Sequence, residues 1–246
     1  MIKIENFEAT GFEHAIRGMR NPMNSWEKSD SCFLHVKDYD CSFCADKKCE
    51  ARDTESMSCK IGSNDHALMT KLAKGGPVHA KYRRMITVYV DITAPLYWWK
   101  EFDTYKVGTV ANSCSTMHKI HDKEFTLEDF SREHLLTFDN SSIDDIIVFG
   151  DGCEVSAVGI LNDVIDSLNH FRKRYLETND KKYWWQMIQL LPSSYNQKRT
   201  VMLNYEVLHN IYTWRKNHKL DEWVEFCKWI ETLPYSDLIT MEEKDG

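Results

Sequence analysis

Hydrophobic and polar positions in the N-terminal half of the chain follow two different periods, one typical of strands and one typical of helices. The pattern predicts a strand over residues 2–4, helices over 12–20 and 65–74, a buried strand over 86–92 and a helix over 96–102. A proline or a glycine pair follows each of the first two helices, where such residues end a helix. The buried strand is predicted from its β-branched, apolar composition.

The C-terminal half is mainly helical by the same criteria. It predicts a short helix after Thr126, a strand over 146–149, and helices over 158–175, 182–191, 200–218 and 220–232. Apolar residues of the longest helix recur every three or four positions, which indicates one buried face. We found neither a repeat nor a linker, so the prediction is one α+β domain over residues 1–246. It has a central mixed or antiparallel sheet, long helices and a cysteine-rich insertion at about residues 30–62.

Composition and charge narrow the classes of function. The chain has 246 residues, of which 42% are hydrophobic, and a formal net charge of −7. Because nucleic-acid-binding proteins usually carry a basic surface, this charge argues against a nucleic-acid partner. The sequence contains no run of eighteen apolar residues, and its N-terminus lacks the features of a signal peptide. We therefore expect a soluble, cytoplasmic protein with no membrane partner.

Five of the eight cysteines lie in one polar segment, at positions 32, 41, 44, 49 and 59. Cys41, Cys44, Cys49 and Cys59 could bind a structural zinc ion, because a two-residue gap lets the first pair of thiolates face one centre. Free thiols in a flexible insertion are the alternative, and disulfides are disfavoured without an oxidising compartment. A zinc-stabilised interaction protein is therefore one possible class.

A polar segment after the predicted helix at 96–102 is dense in small hydroxyl and amide residues. Its candidate ligand-binding residues are Lys106, Thr109, Asn112, Ser113, Ser115 and Thr116. Short hydroxyl and amide side chains beside a cation can hydrogen-bond a phosphate or a heterocycle at close range. The alternative is a solvated loop whose hydroxyl groups cap helices.

The predicted helix at 200–218 brings two further polar residues to one face. Asn204 and Arg215 are eleven positions apart, which at about 100° per residue returns almost to the same side. An amide and a guanidinium among apolar neighbours could anchor an anionic or heterocyclic ligand. Otherwise Asn204 begins the helix and Arg215 reaches a surface acid.

Two segments resemble the flavin-dependent thymidylate synthases. In that family an Ala-Pro turn and a helix precede an Arg-His-Arg triplet and then the motif Ser-x-Asn-Glu-x-Ser-x-Arg-Tyr. Here Ala94-Pro95 precedes a helix, and Thr104-Tyr105-Lys106 stands at the triplet. Thr109 matches the first serine of the motif. The run from Asn112 to His118 matches the remainder, with one extra residue before Asn112.

The second resembling segment lies near the C-terminus. Leu191-Pro192 matches the end of the family's Ala-Arg-x-x-Leu-Pro motif. Asn204 and Asn210 fall on asparagines that contact flavin in the family, and Arg215 falls on an arginine that contacts the uracil nucleotide. The segment Leu72-x-x-Gly75 with His79 is similar, more weakly, to the family's Gly-His segment.

The chain departs from the family where the family has cations. Only Lys106 keeps a charge in the triplet, Ser113 replaces the motif's glutamate, and Met117-His118 replaces its Arg-Tyr. Ile188 replaces the arginine of Ala-Arg-x-x-Leu-Pro. Lysine does not reproduce bidentate guanidinium bonds to phosphate. Other cations would have to replace them, and the candidates are Arg83, Arg84, Lys119 and Arg199.

The resemblance implies methylation of dUMP to dTMP by a cytoplasmic homotetramer that uses FAD, NADPH and methylenetetrahydrofolate. It assigns flavin binding to Lys106, Thr109, Asn112, Asn204 and Asn210, and nucleotide binding to Ser113, Ser115, Thr116 and Arg215. Arg215 is also the residue expected to act in catalysis. The alternative is a non-catalytic or repurposed member of the same fold that binds a nucleotide or flavin.

Overall fold

The computed structural model describes residues 2–33, 59–140 and 142–241. Its strands are β1 (Lys3–Thr10), β2 (Cys32–Phe33), β3 (Cys59–Lys60), β4 (Thr87–Pro95), β5 (Val110–Ser113), β6 (Ile147–Val148), β7 (Glu154–Val155) and β8 (Asn196–Asn204). Its helices are α1 (Phe12–Arg20), α2 (Ser63–Ala73), α3 (Leu96–Phe102), α4 (Thr116–Lys119), α5 (Ala157–Thr178), α6 (Lys181–Leu190), α7 (Tyr205–Arg215), α8 (Asp221–Glu231) and α9 (Asp237–Thr240). None of the helices in these ranges is long and apolar enough to cross a bilayer.

The central sheet has four strands in the order β1-β4-β8-β5. Two smaller sheets are antiparallel pairs, β2 with β3 and β6 with β7. The predicted α+β class, with a central sheet and long helices, is confirmed. The extent of the domain, residues 1–246, stays a prediction, and most of the cysteine-rich insertion lies outside the described residues.

The chain forms two compact units, and each consists of three segments. Unit 1 contains Met1–Glu5, Asp91–Thr104 and Ala111–Val201. Unit 2 contains Asn6–Val90, Tyr105–Val110 and Met202–Gly246.

Unit 1 has an aromatic core on α3 and an aliphatic core between α5 and α6. Trp98, Trp99 and Phe102 are almost fully buried, with ring centroids 4.9–5.2 Å apart. The Trp99 indole N–H donates to the carbonyl of Gln197 at 2.8 Å, so its one polar atom is satisfied. The aliphatic core contains Ile120, Phe125, Phe130, Leu161, Ile165, Leu168 and Met187. These residues include the predicted apolar face of α5, which is confirmed.

Unit 2 contains a buried ion pair that links α1 to α2. The Nε of Arg20 donates to Asp65 at 2.6 Å, and both side chains are almost fully buried. The second oxygen of Asp65 accepts hydrogen bonds from the hydroxyls of Ser29 and Ser31, at 2.7 and 2.6 Å. The backbone N–H groups of Asp30 and Ser31 donate to the same oxygen. The carboxylate is therefore paired and fully hydrogen-bonded, as a buried charge must be.

The predicted helix over 200–218 is wrong in its first five residues. Residues 200–204 complete strand β8, in which Val201 and Leu203 are buried and alternate with more exposed neighbours. Helix α7 begins only after Asn204, whose side chain accepts from the backbone N–H groups of Glu206 and Val207. Asparagine is among the best residues for this capping role. The residues that alternate with a period of two are too few, next to a longer helical pattern, for the strand to be recognised in the sequence.

Candidate functional site

Within unit 2, the segment Tyr105–Thr109 lies along α7. The Nε of Arg215, at the end of this helix, donates to the hydroxyl of Tyr105 at 3.0 Å. At the beginning of the helix, a Cβ on Gly108 would lie only 2.8 Å from the Nδ2 of Asn204. The segment therefore runs beside the helix, with Tyr105 at its C-terminal end and Gly108 at its N-terminal end.

The N-terminal corner of this arrangement has hydrogen-bonding groups available for a ligand. The Oδ1 of Asn204 accepts from Glu206 and Val207 at 3.1 and 3.0 Å, while its Nδ2 faces Gly108. The hydroxyl oxygen of Thr109 is buried and has no hydrogen-bond partner among the described residues. Because buried polar atoms are normally paired, this hydroxyl is suited to a ligand that supplies the partner.

The C-terminal corner holds the guanidinium of Arg215 against aromatic rings. Its Nη1 lies 2.8 Å from the Nε2 of His218, and its Cζ lies 4.9 Å from the ring centre of Trp223. The rings of Tyr105 and Trp223 meet edge to face at 6.0 Å. A guanidinium stacked on an aromatic face is strongly oriented.

Asn204 and Arg215 lie at opposite ends of α7, and their binding of a ligand stays a prediction. Asn204 precedes the first residue of α7 and Arg215 is its last. At about 1.5 Å per residue the two lie about 16 Å apart along the helix axis. One small group cannot bridge that distance, so the structure provides two corners that the segment Tyr105–Thr109 connects. The alternative interpretation, that Asn204 begins the helix, is confirmed.

The other predicted binding residues of unit 2 are on the surface. Lys106 is exposed in a turn, where its carbonyl accepts from the N–H of Thr109 at 3.4 Å. Asn210 is exposed on α7. Both are accessible to a ligand, and their flavin-binding role stays a prediction.

In unit 1, the hydroxyl-rich segment forms strand β5 and the start of α4. Asn112 and Ser113 are exposed on β5, and Thr116, the first residue of α4, is half-buried. The Oγ of Ser115 accepts from the N–H of His118 at 3.0 Å, so this serine caps α4. Capping was the alternative interpretation of these residues. Their role in ligand binding stays a prediction.

Arg83 does not replace the missing cations of the triplet. Its side chain is fully buried, and its Nε donates to the carbonyl of Leu238 at 2.9 Å. Its Nη1 lies 3.8 Å from a carboxylate oxygen of Glu206, which is also buried. Arg83 therefore stabilises the buried core of unit 2.

The other candidate cations are in different environments. Arg199 lies 4.2 Å over the ring of Trp99 and pairs with Asp103 at 2.8 Å, so its charge is already neutralised. Lys119 pairs with Asp122 at 2.9 Å on the surface. Arg84 is exposed. Of the four, Arg84 and Lys119 are the ones a solvent-borne anion can reach, because exposed pairs are weak.

A cavity of about 1320 Å³ lies in unit 2 between α1, α2 and the turn before β4. Its apolar lining includes Met19, Met23, Leu68, Leu72, Val78 and Met85. Polar groups on its wall include His79 and Lys81. Leu72 and His79 belong to the segment that resembles the family's Gly-His segment. About half of the residues that line the cavity are polar, and they include the carboxylates of Glu27 and Asp30 as well as cations.

The cysteines give no evidence for a metal site. Cys41, Cys44, Cys49 and the side chain of Cys59 lie outside the described residues. Within the described ranges, no group of three or more His, Cys, Asp or Glu side chains could hold an ion. Burial raises the pKa of the Cys227 thiol to about 12, so this cysteine is an unreactive core residue.

Gly108, His218 and Trp223 were not identified as site residues from the sequence. Gly108 has a φ of 81°, a left-handed conformation that favours glycine. In the sequence, the one indication that Gly108 belongs to the site was its position between two polar residues predicted to bind a ligand. His218 follows Arg215 by three residues, so that contact is local. Trp223 reaches Arg215 because α7 and α8 pack together, which no local pattern predicts.

We expect Gly108→Ala to weaken binding at the N-terminal corner. The new methyl group would collide with Asn204 and would also require a strained φ, which together cost about 1–3 kcal/mol of stability. Gly152→Ala is the matched control, because Gly152 has a φ of 85° but open space around its missing Cβ. Thermal unfolding and flavin titration of both variants measure the difference. Equal effects of the two substitutions would contradict a role for the contact with Asn204.

Comparisons with known proteins place this geometry in a known fold. No known protein family and no curated protein matches the sequence. Among solved structures, the chain is similar to thymidylate synthase X (ThyX) from Helicobacter pylori with FAD and dUMP. The TM-score is 0.59, with 16% identity over 98% of both chains. A second structure, described as the flavin-dependent thymidylate synthase ThyX from the same organism complexed with FAD and dUMP, gives 0.57, with 16% identity over 98% of this chain and 97% of that one.

The chain is also similar to a UMP/dUMP methylase, PolB from Streptomyces cacaoi, bound with 5-Br UMP. That comparison has a TM-score of 0.54 and 13% identity, and it covers 94% of this chain and 88% of the other. These identities are low, so the likeness concerns the fold. The chain has a ThyX-like fold, which is also the fold of a nucleotide methylase.

Proposed function

We propose that the protein is a flavin-dependent thymidylate synthase-like enzyme that methylates dUMP to dTMP, with FAD, NADPH and methylenetetrahydrofolate. The observation that supports this most is the packing of Tyr105–Thr109 against α7. The family's triplet segment and its asparagine–arginine helix are about 100 residues apart in sequence, yet they lie side by side. If the two motif resemblances were coincidental, there would be no reason for the two segments to be in contact.

The residues present fit a flavin. The buried hydroxyl of Thr109 lacks a partner among the described residues, and the Asn204 amide faces the backbone of Gly108, where a side chain is absent. When bound, FAD would supply the hydride chemistry of the reaction. Thr109, Asn204 and Asn210 would hold and orient the cofactor.

Arg215 is the residue we assign to the pyrimidine. Tyr105, His218 and Trp223 hold its guanidinium in one orientation, which lowers the entropy lost when a ligand binds. A charge-assisted hydrogen bond to a uracil oxygen is stronger than a bond between neutral groups. Ser113, Ser115 and Thr116 would contact phosphate or ribose. Family resemblance also leads us to propose a cytoplasmic homotetramer.

A second candidate function is nucleotide or flavin binding without turnover. Two of the three cations of the family's triplet are absent, and the Nε and Nη1 of Arg215 already contact Tyr105 and His218. Fewer guanidinium groups are then available to hold a phosphate. This candidate predicts binding of FAD or dUMP but no formation of dTMP.

We expect purified protein to bind FAD, with a change in flavin absorbance and fluorescence that saturates at one equivalent per chain. Protein that is then supplied with dUMP, NADPH and methylenetetrahydrofolate should form dTMP, detected by chromatography. Saturable flavin binding without dTMP would support the second candidate. Protein that changes neither flavin signal at any concentration would rule out the enzyme, and absence of dUMP binding in calorimetry as well would rule out both candidates.

A further inference from the structure

Charge is strongly segregated in the C-terminal part of unit 1. From residue 133 to residue 171 the sequence contains no lysine or arginine. The same stretch contains the acidic residues Glu133, Asp139, Asp144, Asp145, Asp151, Glu154, Asp163 and Asp166. Directly after it come the basic residues Arg172, Lys173, Arg174, Lys181 and Lys182. Such a separation along the chain makes the segment before α5 acidic and the segment around the start of α6 predominantly basic.

The acidic surface includes an arm that precedes α5, residues 136–140 and 142–154. Ile143 in this arm is 85% exposed. The other exposed apolar residues of the arm are Leu136, Phe138, Ile147, Val148 and Phe149. The arm is an ordered structure, since β6 and β7 pair within it and Asp145 accepts hydrogen bonds from the backbone and hydroxyl of Ser142. Clustered exposed apolar residues mark a contact surface.

The basic surface is a patch of alternating cations and aromatic rings at the start of α6. The Nζ of Lys181 lies 5.9 and 5.7 Å from the rings of Trp184 and Trp185. Lys182 and Arg174 lie 4.8 and 5.3 Å from the ring of Tyr183. Trp185 is 43% exposed. This basic patch therefore combines apolar area with positive charge, and the arm combines apolar area with negative charge.

The base of the arm and the basic patch lie at opposite ends of α5. The N–H of Val158, at the start of α5, donates to the carbonyl of Leu136 at 3.1 Å, which fixes the base of the arm to that end. The basic patch follows the other end of α5. The helix has 22 residues, so the base of the arm and the end of α5 next to the basic patch are about 33 Å apart at 1.5 Å per residue.

We propose that the arm of one copy binds the basic patch of a second copy. When two α5 helices lie antiparallel, each arm lies at the other copy's basic patch, which gives two equal contacts around a twofold axis. The complementary charges orient the contact, and the apolar residues of the arm cover the exposed indole. A polyanion is a poorer occupant of the basic patch, because Asp180 and Glu177 lie within it and the protein as a whole is acidic.

Charge reversal tests this contact. An arm variant carries Asp139→Lys and Asp144→Lys, and a patch variant carries Lys181→Glu and Lys182→Glu. The patch variant should fold, because acidic residues in the first turn of a helix are favourable. In sedimentation velocity across a concentration series, each variant alone should self-associate at least about tenfold more weakly than the original protein. An equimolar mixture of the two variants should regain association, since both contacts then pair opposite charges.

A second pair of variants tests the apolar part of the contact. Ile143→Ser should weaken association, whereas Tyr89→Ser, at a residue that is 46% exposed outside the arm and outside the candidate site, should leave it unchanged. Unchanged sedimentation of the arm and patch variants overturns the proposal, as does loss in both without recovery in the mixture. In the latter case, single-stranded DNA that binds the original chain but not the patch variant would assign the basic patch to nucleic acid. The proposal shares self-association with the proposed homotetramer but does not depend on flavin or nucleotide binding. Flavin titration of the same variants shows whether a loss of association is separate from a loss of cofactor binding.

Discussion

Replacing Asp65 by asparagine should lower the free energy of unfolding at pH 7 by about 3–5 kcal/mol, because it removes one partner of a buried ion pair. Arg20 would keep its buried charge without a counter-ion. The new amide group would also point N–H donors at the hydroxyls of Ser29 and Ser31, which now donate to the carboxylate. Chemical denaturation of both proteins measures the effect.

The same pair makes stability depend on pH. Burial alone would raise the pKa of Asp65, but the hydrogen bonds from Ser29, Ser31 and Arg20 outweigh it and hold the pKa below its usual value. The folded state therefore binds this proton more weakly than the unfolded state. The stabilisation is fully present above the ordinary carboxyl pKa of about 3.9 and is lost as the pH falls through the lower folded-state pKa.

Asp237→Asn is the control for that prediction. Asp237 also pairs with a neighbour, His66 at 2.6 Å, but its side chain is 58% exposed. Exposed pairs contribute about 0–1 kcal/mol, so this variant should unfold almost like the original protein. Two results would contradict the stabilising role of the buried pair. One is an equal loss of unfolding free energy in Asp65→Asn and Asp237→Asn. The other is a loss in Asp65→Asn that does not become smaller at acidic pH.

Replacing Arg215 by alanine should weaken dUMP binding by about 2 kcal/mol, which is about 30-fold in the dissociation constant. The guanidinium is the one predicted site group that combines full charge with a fixed orientation, through Tyr105, His218 and Trp223. Isothermal titration calorimetry with dUMP, in the presence of FAD, measures the change.

Arg174→Ala separates that effect from the general loss of an arginine. Arg174 also donates to a tyrosine hydroxyl, that of Tyr183 at 3.3 Å, and lies over its ring, but on α5. Its removal should leave dUMP affinity unchanged. If both variants bound dUMP like the original protein, the nucleotide would have to bind away from α7. Thermal unfolding of both variants shows whether either has lost its fold.

Much of the fold was predictable because its elements have local signals. Helix α3 was predicted with its exact observed limits after Ala94-Pro95, and α5 and α6 to within three residues. The apolar period of α5 corresponds to the residues that it buries. Strand β8 was missed because its alternation is brief and is followed without a loop by α7, so the two periods merge in the sequence. The signal that separates them is one residue, the capping Asn204.

The candidate site was less predictable than the fold. Periodicity placed Asn204 and Arg215 on one face, but only the structure shows that one caps the helix and the other lies against aromatic rings about three turns away. The contact between Tyr105 and Arg215 joins residues that are 110 positions apart. Such contacts depend on how elements pack, which a single sequence does not specify. The resemblance to a family pointed to both residues, but not to their contact.

The three-segment composition of each unit has a practical consequence for dissecting this protein. Of the five boundaries between the units, four fall inside β1, β4, β5 and β8, so a cut at any of these four would split a strand. No deletion leaves either unit as one continuous polypeptide, because each unit consists of three separate segments. Fragment expression is therefore unsuited to this chain, and point substitutions in the full-length protein are the appropriate way to assign a property to one unit.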